Sequence, residues 1–387
     1  MNFLNLARRV TALRFVALFV MASILTGCTI PESLLIQPPD SAPISAHLEE
    51  ALALSPATTE LIAFTDWSVI KEIAGVGDLT GEAPLEERLD FLYGQQAQAI
   101  GSLFAGGYLR NHAEIWGWDS TDLLWEASLT LDGPPLYLLR FRDDFDFDPV
   151  IERLNERGYT ATEVEGATLY SHEMNLTLDW LRTTELSILN IAHVPDEKLF
   201  VLASSPEVVT NTIHAVTAGT TLAALPPVRA VAAELGDVGA AMITPLGCQE
   251  SGAGAFIGQS IEEIKAHFER MRQSEISGLY ITFGLGYRVE TVDEQSLPLG
   301  ILVHYYPLAG QAHADLEPRR QLAAEGTSLA TATPYAELFD VVDAWVNEDD
   351  AGGANLVLAL HAIERSPQLF FQMFFQRDLL FSTCGGF

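Results

Sequence analysis

Two apolar runs, Ile188 to His193 and Leu199 to Ala203, flank the tetrapeptide Val194-Pro195-Asp196-Glu197. Proline and aspartate between two such runs predict a hairpin. A hairpin commits the chain to antiparallel pairing, which needs no crossover helix. Further strands are expected at Thr58 to Thr65, Leu136 to Phe141, Val238 to Thr244, Leu279 to Phe283, Leu299 to Tyr306 and Ala354 to Ala359. Helices fall between them with recognisable starts and stops. Asp66 caps one that ends near Gly75, and Pro84 opens another with Leu85, Leu89 and Leu92 in its stripe. Asp148-Pro149 begins one that Gly158 stops, and Ser205-Pro206 begins one that Gly219 stops. Ile261 to Arg272 and Gln311 to Ala324 also read as helices, the latter despite Pro318, and Ser366-Pro367 caps the last. The irregular order predicts an α+β fold: a mixed, mainly antiparallel sheet with helices packed on one face. Two subdomains are expected, 46–250 and 251–387, joined at the Gly/Ala/Ser-rich stretch 251–260. The second half repeats a strand–helix–strand order, but its residues do not align convincingly with the first.

The N-terminus carries a different kind of signal. Arg8, Arg9 and Arg14 precede or open the apolar run Phe15 to Ile24, and Leu25-Thr26-Gly27-Cys28 follows. A positive region, a short apolar region and small residues before a cysteine make an export signal. Ten apolar residues are too few to span a bilayer. The segment resembles a bacterial lipoprotein signal. The resemblance implies cleavage after residue 27, an acyl chain (palmitate or similar) on Cys28, and a body held outside the cytoplasm at a cell membrane or outer membrane. Thr29 is not aspartate, so where an outer membrane exists, sorting to it is expected. Residues 28–45 contain Pro31, Pro38, Pro39 and Pro43 and are expected to form an extended tether.

Charge narrows the partners. Loss of the leader leaves 360 residues with 18 basic and 52 acidic side chains, a net charge of −34. Such a body repels phosphate backbones, which argues against nucleic acid. It is also repelled by anionic lipid, so the N-terminal lipid must supply the membrane attachment. Cys248 and Cys384 are the two cysteines of the body, and an oxidising compartment favours a bridge between them. It would close a 136-residue loop and pin the C-terminus, worth about 4–5 kcal/mol in the chain-entropy model.

Several patterns could carry chemistry. Asp143-Asp144-Phe145-Asp146-Phe147-Asp148 places carboxylates on one face of an extended segment, with Asp144 and Asp146 as oxygen donors for a hard cation. The glycine and glutamate of a calcium loop are missing at the sixth and twelfth positions, so a solvated strand end leading into a helix cap at Asp148 is the competing expectation. Trp116-Gly117-Trp118-Asp119 and Trp125-Glu126 combine aromatic faces with acids, a pairing that suits sugars; Trp116 and Trp118 are the ligand-binding candidates. Leu369 to Phe381 is rich in Phe, and Phe371 and Phe375 stand at i,i+4 on a stripe that either packs in the core or lines a lipid cavity. Gly252 to Gly258 faintly resembles a dinucleotide fingerprint, with its third glycine one residue late. Leu54 to Leu61 resembles the opening strand of metal-chelate substrate-binding lipoproteins over eight residues, but the long strand–helix alternation of that family is missing.

No His-Glu-x-x-His, Gly-x-Ser-x-Gly or Ser-x-x-Lys is present. No metal, cofactor or catalytic residue is therefore assigned. The expectation is a membrane-tethered, non-enzymatic envelope lipoprotein, its body similar to that of other uncharacterised exported lipoproteins, that binds a protein or small-molecule ligand or acts as a scaffold. The alternatives are a carrier with a Phe-lined cavity and a glycan hydrolase using carboxylates such as Glu126 or Asp146.

Overall fold

A computed structural model describes residues 44–95, 99–103, 109–173, 188–247, 279–292, 295–363 and 368–383, with 260, 265 and 276 as isolated positions. Cys28, Cys248, Cys384, the glycines at 252–258 and most of the helix expected at 261–272 lie outside the described residues. Among those described are nine α-helices and twelve strands. The helices are α1 (Ala46–Ala53), α2 (Trp67–Ile73), α3 (Leu85–Gln95), α4 (Leu109–Trp116), α5 (Asp148–Glu156), α6 (Pro206–Thr217), α7 (Pro226–Leu235), α8 (Ala309–Glu325) and α9 (Gln368–Phe375). The strands are β1 (Leu61–Asp66), β2 (Leu123–Thr130), β3 (Leu136–Phe141), β4 (Thr160–Val164), β5 (Ala167–Ser171), β6 (Asn190–Val194), β7 (Leu199–Ala203), β8 (Ala240–Thr244), β9 (Thr282–Val292), β10 (Gln295–Tyr306), β11 (Phe339–Glu348) and β12 (Ala354–Ala362).

All twelve strands join one sheet in the order β11-β12-β10-β9-β8-β1-β2-β3-β7-β6-β5-β4. Every ladder between them is antiparallel. The fold is therefore α+β, as the hairpin signal at 194–197 implies. The helices, expected on one face, cover both. The reason lies in the strands: β7 and β8 are buried at every position, so neither side of the sheet's middle can face water. One face carries a single continuous core that includes Ile62, Phe64, Trp125, Leu138, Val201, Ile243, Ile301 and Val357, roofed by α1, α6 and α7. The other face carries two separate cores. Trp118, Phe141, Phe200 and Leu154 belong to the one beside α2 to α5. Phe283, Leu302, Leu358 and Phe370 belong to the one beside α8 and α9.

The order of elements repeats. In the first run a helix and a strand (α1, β1) lead, through an insertion, to a hairpin (β2, β3), a helix (α5) and further strands. In the second, α7 and β8 lead to β9 and β10, then α8, then β11 and β12. The last strand of each run, β7 or β12, returns to pair with the third, β3 or β10. The first strands, β1 and β8, meet antiparallel in the middle of the sheet. α1 and α7 lie on the shared core, and α5 and α8 lie on the opposite face. The boundary expected near residue 250 falls after β8, inside the second run, and the sheet passes through it without interruption.

Local chemistry explains the individual starts and stops. Asp66 accepts the Val69 amide at 3.1 Å and so caps α2. α5 starts at Asp148 with Pro149 in its first turn; the cap residue is Phe147, one position earlier than expected. Glu165 and Gly166 both take positive φ, 47° and 87°, and close the β4–β5 hairpin in two residues.

Candidate functional site

Polar side chains gather at several places among the described residues of this apolar frame. The first lies where the described chain begins. Asp66, Trp125 and Arg140 stand side by side across β1, β2 and β3. His47 and Glu50, three residues apart on α1, reach down to them. His47 Nδ1 lies 2.8 Å from Asp66 Oδ2. Glu50 accepts from Trp125 Nε1 at 2.9 Å and from Arg140 Nε at 3.0 Å, and Arg229 of α7 pairs with Glu49 at 3.2 Å. The bonded Asp66 carboxylate holds the His47 pKa above its usual range, against the burial and the Arg140 charge that lower it. α1 is anchored by apolar contact as well: Leu48, Ala51 and Leu52 are fully buried. The two leucines alone contribute about 4 kcal/mol on the usual area scale.

Serine, histidine and aspartate meet here, but not as a nucleophilic triad. Ser68 Oγ donates to Asp66 Oδ1 at 2.5 Å and lies 3.5 Å from His47 Nδ1, the nitrogen that already faces Asp66. A triad needs serine at the other ring nitrogen. A second Ser–His contact exists at the far end of the chain, where Ser382 Oγ is 2.9 Å from His304 Nε2. His304 is fully buried, and burial together with the Arg319 charge holds it neutral, well below its usual pKa. The amides of Ser382 and Thr383 are already bonded to the carbonyls of Leu379 and Leu380, so neither can serve an oxyanion.

That far end is the second polar place. Arg319 is fully buried on α8. Its guanidinium donates to Asp315 at 3.3 Å, to the Tyr306 hydroxyl at 2.8 Å, and to the carbonyls of Phe381 and Thr383 at 2.7 and 3.0 Å. Tyr280 donates its hydroxyl to the carbonyl of Ser382. Three successive carbonyls of residues 381–383 are thus held by side chains of the second half. A shallow recess of about 10 Å³ lies beside them, lined by Tyr280, Phe283, Phe374, Arg377 and Leu379 among others.

The third place is the middle of the sheet, at Glu126 on β2. Its carboxyl is 1% exposed, accepts from Trp67 Nε1 at 2.9 Å and from the Leu103 amide at 3.3 Å, and is bonded by Ser102. Burial pushes its pKa up from 4.5 to about 7. A raised carboxyl acid is one half of a glycosidase pair, but among the described residues no second carboxylate acts on it, and residues 99–103 lie over it.

The residues singled out from the sequence are spread among the cores and the surface. Trp116 and Trp118 are each 2% exposed. Trp118 packs edge-on against His112 and Phe141, and Arg157 lies 4.5 Å over the Trp116 ring. Asp119 caps a turn at Ser120–Asp122 and pairs with Arg88. In the acidic stretch the alternation holds: Phe145 packs tilted and Phe147 edge-on against Phe141 while the aspartates face outward. Asp144 pairs with Arg142 at 3.6 Å, and Asp146 accepts the Asp148 amide at 3.0 Å. Among the described residues no group of three or more His, Cys, Asp or Glu is placed to hold a metal ion. Phe371 is buried in the core and Phe375 is 59% exposed, and neither lines the recess. His47, Arg319 and His304 drew no notice in the sequence; the i,i+3 pair His47/Glu50 and the i,i+4 pair Asp315/Arg319 were the available signals.

No protein-family model matches the chain, and no curated protein or solved structure matches it either. Among the described residues no helix is long and apolar enough to cross a membrane.

Proposed function

We propose that the chain is a membrane-tethered extracytoplasmic lipoprotein, lipidated on Cys28, whose body binds a partner or ligand or scaffolds the envelope rather than catalysing a reaction. The observation that carries this reading is the anchoring of α1. A tether running to residue 45 transmits any pull from the membrane to the first helix of the body. That helix is held by three buried apolar side chains and by side-chain bonds from His47, Glu49 and Glu50 to β1, β2, β3 and α7. Such cross-linking spreads a load at one chain end over the first half of the sheet.

The test is metabolic labelling with an alkyne fatty acid followed by fractionation. The wild type is expected to take up label and to partition with membranes, and Cys28→Ala to lose both. A mature protein whose N-terminus mass spectrometry finds unacylated, or label that persists in Cys28→Ala, overturns the reading.

A further inference from the structure

We propose that residues 99–103 form a proton-controlled latch over the centre of the sheet, held most tightly while Glu126 carries its proton and loosened when Glu126 ionises. The segment crosses the face that carries two cores. Ile100 belongs to the core of the second half and Leu103 to that of the first, so it spans the seam between them. It lies directly on the strands. Gly101 takes φ +63°, and a Cβ there would sit 2.7 Å from the Ala63 Cβ and 3.0 Å from the Ser128 Cβ. Glycine is what lets the backbone descend this far. Two side chains of the sheet hold the segment from below. Thr65 Oγ1 donates to the Ile100 carbonyl and accepts from the Ile100 amide, both at 3.0 Å. Glu126 takes the Leu103 amide and the Ser102 hydroxyl.

The latch responds to protons because, among the described residues, no charged group compensates Glu126. Its neighbours in the sheet are Thr65 on β1 and Leu139 on β3, and α2 brings Trp67. Lys71, one turn further along α2, spends its ammonium on the carbonyls of Leu79 and Thr121. Among the described residues no charged side chain contributes to the shift of the Glu126 carboxyl, which arises from burial and is opposed by neutral donors. Lifting the segment lets water reach the carboxyl, and the ionised form gains most from that water. Opening is therefore linked to loss of one proton, and it uncovers Ala63 and Ser128 between the two cores. The inference stands independently of the lipid on Cys28.

Amide hydrogen exchange on the intact protein tests it, resolved to Ile100 and Leu103, corrected for intrinsic rates and run from pH 4 to 8.5. Protection at these two amides is expected to fall by up to ~300-fold between pH 4.5 and 7 and to level off above, the change that one proton with this shift permits. It is also expected to be lower than at Leu138 of β3 and unchanged by low urea, the mark of a local opening. Glu126→Gln should flatten the profile. Should that variant fail to fold, Ser102→Ala removes one donor from the carboxylate and should move the midpoint to higher pH. A flat wild-type profile, a midpoint unmoved by Ser102→Ala, or Ile100 and Leu103 tracking Leu138 in protection and urea slope would each overturn the latch.

Discussion

The two ends of the described chain are pinned to the same sheet by opposite means. At the N-terminal end, α1 is held by its buried leucines and by ion pairs that reach the rim on one side, with the His47 side chain 30% exposed, that of Arg140 15% and that of Asp66 2%. At the C-terminal end, residues 381–383 are held by Arg319 and Tyr280, and Arg319 is paired with Asp315, both side chains of that pair being fully buried. Water screens the first set and leaves its strength open to pH. The second set cannot be replaced by water if broken, since the vacated groups stay buried. Exposure, more than the number of bonds, should decide what each pin contributes.

The sharpest way to break this comparison is Arg319→Ala. It leaves the Asp315 carboxylate buried without its cation and two carbonyls without donors, and should cost about 3–5 kcal/mol. Urea unfolding measures it, and a cost below about 1 kcal/mol would mean that burial is not what distinguishes the two ends.

Glu126 sits between the two regions and gives the next largest effect. Its folded pKa is raised, so the folded state binds the proton more tightly than the unfolded one. Its stabilising effect is full below pH 4.5 and is lost as pH rises to about 7. The fall amounts to about 3 kcal/mol at most. Glu126→Gln should remove this slope from the urea midpoints, and an unchanged slope assigns it to other groups.

His47→Ala tests the exposed pin and should cost about 1 kcal/mol. Because Asp66 raises the His47 pKa, the bond contributes fully below pH 6.5 and fades as pH rises through the raised value. The variant should therefore lose more at pH 5.5 than at pH 8.5. The reverse order would contradict a protonated His47 on Asp66.

Arg320→Ala is the smallest and serves as the control. Arg320 is the neighbour of Arg319 and pairs with Glu317 at 2.7 Å, but both are exposed. Its midpoint should not move measurably. A shift approaching that of Arg319→Ala would show that charge loss on α8, not burial, drives both.

Much of the framework was legible in sequence because its signals are local. Asp66, Asp148-Pro149 and Ser205-Pro206 mark helix starts within one residue, and the tetrapeptide at 194–197 marks a real hairpin. The stripe through Leu369, Phe370, Phe371, Met373 and Phe374 is buried, as its width implies. Other elements hid behind their composition. β2 begins Leu-Leu-Trp-Glu and read as an aromatic–acid cluster. β11 carries Asp340, Asp343 and Glu348 on a sheet edge, where charges are tolerated and the apolar alternation is lost. α8 continues through Pro318, which the buried Asp315–Arg319 pair brackets. The sites were less legible than the fold. Trp116 and Trp118 draw attention by type and prove to be core; Glu126 was noticed only as an acid beside a tryptophan.

The sequence by itself determined the class: an α+β chain, antiparallel from its turns and strongly acidic. These follow from forces acting over a few residues or summed over all of them. Only the tertiary structure decided that helices lie on both faces, that the element order runs twice outward from β1 and β8, and that Glu126 and Arg319 are buried. Those outcomes depend on contacts between residues far apart in the chain, where a side chain's surroundings, and so its charge and its worth, are set by neighbours no local pattern names.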